Sequence, residues 1–99
     1  MTESVAEPIG GRLTLRRTRF GDYVPADDYE VMSDGRAIGR IYRPHAGAPR
    51  DLPWEWTITG AVVAPAFRNQ GFEPTFEEAK TAFATTWRAW LGHNSNGGP

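Results

Sequence analysis

Apolar and polar positions alternate with a period of two along the first two thirds of this chain and then change to the period of a helix. Leu13 to Phe20 (LTLRRTRF) reads as a first strand with Leu13 and Leu15 in one phase and Phe20 in the other, a mismatch that a β-bulge near Arg16-Arg17 would reconcile. Gly21 to Asp27 is rich in turn formers. Asp28–Ser33 and Arg36–Arg43 then flank Asp34-Gly35. Both central residues of a two-residue type I′ turn need positive φ, which Asp and Gly tolerate, so this segment predicts a β-hairpin. Such a turn sets Ser33 opposite Arg36, Met32 opposite Ala37, Val31 opposite Ile38, Glu30 opposite Gly39 and Tyr29 opposite Arg40. One face of the hairpin is then Tyr29, Val31, Ile38, Arg40 and Tyr42. The other is Asp28, Glu30, Met32, Ala37, Gly39, Ile41 and Arg43. The first face carries more large apolar side chains and is expected to be the covered one; were the second covered, Gly39 would permit close approach and leave a Tyr–Arg surface open.

Pro44 to Pro53 reads as a loop. Trp54–Thr59 (WEWTIT) alternates Trp54, Trp56 and Ile58 against Glu55, Thr57 and Thr59, the pattern of a half-buried strand whose tryptophans join the core. Gly60 to Pro74 is expected to be irregular, with Val62-Val63 a short candidate extension of the sheet. The period then changes. Thr75-Phe76-Glu77-Glu78 is a capping box, in which the Thr75 hydroxyl accepts from the Glu78 N–H and the two acids sit at the positive end of the helix dipole. Over residues 76–91, a step of 100° gathers Phe76, Ala79, Lys80, Phe83, Trp87, Trp90 and Leu91 on one side, and Gly92 is the expected stop. The architecture that follows is α+β, a three- or four-stranded antiparallel sheet with one C-terminal amphipathic helix packed on one face. Residues 1–12 are expected as a flexible N-terminal arm, 13–92 as a single domain and 93–99 as a disordered tail.

Composition narrows the function classes. Ninety-nine residues suit one domain. A net charge of −1 argues against a globally basic nucleic-acid binder, yet the charge is uneven: residues 11–50 hold eight Arg against five acids. No cysteine is present, which removes disulfides and thiolate chemistry. Neither a signal peptide nor a membrane span is visible, so a cytoplasmic protein, monomer or weak homodimer, is expected.

Catalytic groupings are sparse. The two histidines, His45 and His93, lie in a loop and the tail, with no metal-ligand spacing around either. Ser4, Ser33 and Ser95 have no base nearby in sequence, and the glycines form no phosphate-cradling pattern. Asp27-Asp28 and Glu77-Glu78 read as a solvated strand entry and a helix cap rather than an acid–base pair. Lys80 stands in the apolar stripe, where either its stem covers the core edge while the ammonium reaches water, or burial depresses its pKa. The remaining chemistry is Arg and Tyr on strands. Arg16, Arg17, Arg40 and Arg43 with Tyr29 and Tyr42 are the candidate contacts for a partner or for single-stranded nucleic acid, since guanidinium groups take phosphates and aromatic rings stack on bases. No catalytic residue, metal ligand or cofactor is expected. The leading expectation is a non-enzymatic binding or interaction module with an unidentified protein partner, and the alternative is a nucleic-acid-binding module using the arginines of the sheet.

The run Gly35-Arg36-Ala37-Ile38-Gly39-Arg40-Ile41-Tyr42-Arg43, the segment Trp54-Glu55-Trp56, and Thr75-Phe76-Glu77-Glu78-Ala79-Lys80 with Trp87 and Trp90 together resemble a group of short bacterial proteins of unassigned activity. Three strands followed by a helix that opens with this Thr-x-Glu-Glu-Ala-like box also resemble AP2-type DNA-binding domains and the arm-binding domains of phage integrases. That resemblance implies a sheet entering the major groove, with Arg40, Arg43, Trp54 and Trp56 in the positions of the contacting residues. The acidic pI and the Asp/Glu-rich second strand depart from it. The strand–loop–helix end is similar to HicB-like antitoxins, whose partner is a toxin protein.

Overall fold

In a computed structural model, the chain is an α+β unit: an open antiparallel sheet with one helix at its C-terminal end. The structure describes the backbone of residues 7–10, 13–59 and 68–97 and the side chains of 13–59 and 68–91. The strands are β1 (Glu7–Gly10), β2 (Leu13–Arg17), β3 (Asp28–Ser33), β4 (Arg36–Tyr42), β5 (Trp54–Ile58) and β6 (Gln70–Glu73), followed by helix α1 (Phe76–Gly97). They lie side by side in chain order, so every connection is local. The helix lies across β5 and β6 and also meets β4 and the far edge strand β1, so the sheet curls around it.

Three or four strands were expected and six are present among the described residues. Residues 7–10, expected as part of a flexible arm, pair with β2. Residues 70–73, expected as irregular, pair with β5. The proposed Val62-Val63 extension lies outside the described residues. Strand β2 ends at Arg17, short of Phe20, and its pairing with β3 runs without a break, so no bulge sits at Arg16-Arg17.

The hairpin turn forms as its chemistry dictates, with φ of 52° at Asp34 and 80° at Gly35. Pairing begins as expected with Ser33 opposite Arg36 and Met32 opposite Ala37, then slips by one residue, so that Val31 faces Gly39 and Tyr29 faces Ile41. The extra residue is Ile38. Because side chains alternate along a strand, this bulge moves everything after it to the opposite face. Tyr29, Val31, Gly39 and Ile41 therefore share the covered face, and Asp28, Glu30, Arg40 and Tyr42 share the outer one. Neither of the two faces expected from the turn alone exists beyond Ala37. The slip lets Ile38 and Ile41 both become fully buried, which a regular pairing, with the two three residues apart on opposite faces, would not do.

The core is formed by Leu13, Leu15, Val31, Ile38, Ile41, Trp56 and Ile58 from the sheet and Ala79, Phe83, Ala84 and Trp87 from the helix. Gly39 sits under Phe83, and a Cβ there would come within 2.5 Å of the phenyl ring. Gly71 does the same for Trp56, whose indole lies across β6 and donates from Nε1 to Glu73 Oε2 at 3.1 Å. Tyr29 and Trp54 close the N-terminal end of the helix against Phe76, with ring centroids 5.1 and 4.8 Å away. The Thr75 hydroxyl accepts from Glu78 N–H at 3.0 Å, so the cap forms. Two features of the helix depart from expectation. Leu91, placed in the stripe, is exposed, while Ala84 is buried. Gly92 does not stop the helix, which runs on through residues 93–97, a segment expected to be disordered. Glycine inside a helix costs about 1 kcal/mol relative to alanine, a penalty and not a barrier.

Candidate functional site

The face of the sheet turned away from the helix carries a continuous polar ladder. Asp28, at the start of β3, is buried and both of its oxygens are engaged. Thr18 Oγ1 donates to Oδ1 at 2.7 Å, Arg40 Nε donates to Oδ1 at 2.8 Å, and Arg40 Nη2 donates to Oδ2 at 2.5 Å. The Arg40 guanidinium carbon sits over Tyr42, 3.9 Å from the ring centroid. Tyr42 donates its phenolic proton to Glu55 Oε1 at 2.8 Å, and Gln70 Nε2 donates to the other oxygen of Glu55. Two hydrogen-bonded groups, Thr18–Asp28–Arg40 and Tyr42–Glu55–Gln70, thus cross from the end of β2 to β6, joined by the contact of Arg40 with the Tyr42 ring. The Arg40 pKa is raised, first by its hydrogen bond to Asp28. That of Tyr42 is raised first by burial and then by the hydrogen bond to Glu55, both of which favour the neutral phenol.

Beside this ladder lies an open cleft of about 690 Å³, within the size range of small-ligand sites. Asp28, Arg40 and Tyr42 form its floor. One wall is the 18–27 connection, and the other is the segment leaving β4, with Arg43, Pro44 and His45. The first wall is built by a tight turn. Phe20 and Tyr23 exchange backbone hydrogen bonds of 2.8 and 2.9 Å around Gly21, whose φ is +61°. Arg17 then clamps the return leg, donating from Nη1 to the carbonyls of Pro25 at 3.2 Å and Ala26 at 3.0 Å. The Arg43 N–H bonds the Asp27 carbonyl at 2.9 Å and joins the two walls. On this scaffold Phe20 and Tyr23 remain 55% and 61% exposed.

Of the six residues expected as contacts, the fold brings Arg40, Tyr42 and Arg43 together in the cleft. Arg16 stands on the same face but one strand away, paired with Glu30 through Nε at 3.0 Å. Arg17 is held by the two carbonyls, with its guanidinium 5.5 Å from the Tyr29 ring. Tyr29 belongs to the covered face against Phe76. Trp54 and Trp56 also face the helix. Phe20, Tyr23, Asp28 and His45 were not among the expected contacts. Two aromatic residues flanking Gly21-Asp22 form the local signal that would have found the turn, because a glycine able to take positive φ between them sets both rings on one tight loop.

Lys80 is buried, at 8% exposure, at the N-terminal end of the helix. Its stem is buried beside Phe76, with the ammonium 4.7 Å from that ring, and the Nζ pairs at 3.0 Å with the largely exposed carboxylate of Glu77. Among the described residues no group of three or more His, Cys, Asp or Glu is placed to hold a metal ion. Among the described residues no helix is long and apolar enough to cross a membrane. No family model, curated protein or solved structure matches this chain.

Proposed function

We propose that this chain is a small non-enzymatic binding module whose partner sits in the outer-face cleft. The observation that carries this reading is the exposure of Phe20 and Tyr23 over the cleft, while the aromatic side chains of the helix-covered face are packed into or against the core. Large exposed rings held on an ordered turn are a feature of binding surfaces, since their contact with water is otherwise unfavourable. A binding role rather than a catalytic one is supported by the floor. Asp28 and Arg40 satisfy one another, so neither is free to shuttle a proton or to attack a substrate.

Titrating the 15N-labelled chain with a panel of small aromatic and aliphatic fragments tests this. Shifts are expected to cluster on the amides of residues 20–28 and 40–45. Shifts confined to the helix, or none at millimolar fragment, would overturn the assignment of this cleft.

A second reading, binding of single-stranded nucleic acid, is supported by Arg40, Tyr42 and Arg43 sharing one cleft. It requires affinity for mixed oligonucleotides that falls steeply with salt; no binding at low salt removes it.

A further inference from the structure

Resting on the reading of the cleft as a binding site, we infer that Arg17 is its positioning residue: a side chain outside the cleft that sets where the Phe20–Tyr23 wall stands, and through it the affinity for a ring packed there. The argument begins with the side of the sheet from which Arg17 acts. Arg17 lies directly opposite Tyr29 in the pairing of β2 with β3, and directly paired residues share a face. Tyr29 is on the covered face, stacked on Phe76, and the Arg17 guanidinium is 5.5 Å from the Tyr29 ring centroid. The described residues that line the cleft include Pro25 and Ala26 but not Arg17. Its Nη1 nevertheless donates to the carbonyls of both. The wall is therefore braced from behind, by a cation seated on the aromatic cluster at the N-terminal end of the helix.

The other ties on this connection act elsewhere. Thr18 bonds Asp28 at its root, the Arg43 N–H bonds the Asp27 carbonyl at its far end, and the paired backbones of Phe20 and Tyr23 fix the shape of the turn. None of these sets how far the turn leans over the cleft. The Arg17 bonds do, because they fall on the return leg just past Tyr23. Both have a charged donor, which makes them stronger than neutral bonds. A guanidinium already seated against a packed ring also holds its target more closely than a free side chain can.

The test compares Arg17→Met, which keeps an apolar stem against Tyr29 and loses every donor, with Arg17→Lys, which keeps a charged donor. Amide hydrogen exchange is followed in the free proteins, and indole is then titrated as the ring probe by amide shifts of residues 20–28 and 40–45. In Arg17→Met the Phe20 and Tyr23 amides should exchange several-fold faster, while Val31 and Ile41 keep their wild-type rates. Indole affinity should fall several-fold, and Arg17→Lys should recover part of both losses. Unchanged exchange at Phe20 and Tyr23 would show that the wall stands without Arg17. A rise shared by Val31 and Ile41 would show that Arg17 supports the fold as a whole; either result overturns the inference. A loosened turn with undiminished indole affinity would overturn the positioning role while the cleft remains a site. A loosened turn in the variant, with no indole shifts even in the wild type, would keep the brace and remove the cleft as a ring-binding site.

Discussion

The two faces of the sheet solve opposite problems with the same strands. Toward the helix, Leu15, Val31, Ile41 and Phe83 are at or below 1% exposure and the contacts are close enough that Gly39 cannot carry a side chain without something moving. Away from it, Thr18, Asp28, Arg40, Tyr42, Glu55 and Gln70 form a row, hydrogen-bonded on either side of the Arg40–Tyr42 ring contact, that leaves part of the guanidinium and of the ring in water. The inner face supplies stability through area removed from water. The outer face gains little from area, but its ladder fixes the positions of the groups that floor the cleft. Structure and candidate site are thus placed on opposite sides of one layer, and substitutions on the two sides should differ in kind.

The sharpest test of the inner face is Phe83→Ala. Phe83 is fully buried, packed edge-on to Trp56 with centroids 6.2 Å apart. Its truncation should cost about 3–5 kcal/mol, the range for phenylalanine deletions in cores. Against a total of about 5–15 kcal/mol for an ordinary domain, that is enough to shift the urea midpoint far toward zero or abolish the cooperative transition. A midpoint lowered by only a few tenths molar would mean that the helix is not the main support of the sheet.

The outer face should respond less. Asp28→Asn keeps the shape of the side chain and removes its charge, leaving Arg40 without its ion pair. Asp28 is 8% exposed but Arg40 is 40% exposed, so water recovers much of the lost interaction. The expected cost is about 1–2 kcal/mol, read as a smaller midpoint shift with an unchanged slope. The cleft should be disturbed more than the fold, with amide shifts at Thr18, Arg40 and Tyr42. A loss matching that of Phe83→Ala would erase the division between the faces.

Much of the inner face was legible in the sequence, and the outer face was legible only in fragments. The helix and the hairpin turn announce themselves because their signals are local: Thr75 sits three residues before Glu78, and Asp34-Gly35 accepts positive φ. Strand β6 gives no such signal. Four residues containing Gly71 have too short a pattern to read, and they become a strand only because Trp56 and β5 lie beside them. The bulge at Ile38 is likewise invisible locally. It is selected by burial of two isoleucines at once, a tertiary effect, and it reverses the side to which Arg40 and Tyr42 point. The cleft depends on that reversal, so Arg40, Tyr42 and Arg43 could be named from the sequence without their neighbours being foreseen.

The finest distinction between the faces is a proton. Tyr42 has its pKa raised in the folded state by burial and by Glu55, so the fold favours the neutral phenol. Such a group stabilises the fold fully below its unfolded value near 10 and loses that contribution as pH rises through the higher folded value. At neutral pH, Tyr42→Phe should lower stability by about 1 kcal/mol through loss of the hydrogen bond to Glu55. Above pH 10 the wild type alone must either keep the phenol protonated against the solvent or place a phenolate beside the Glu55 carboxylate. Urea midpoints of the two proteins should therefore converge as the pH rises above 10, with the wild type falling toward the variant. Parallel curves across that range would mean that the phenol is solvated like a free tyrosine and that the outer ladder does not constrain it.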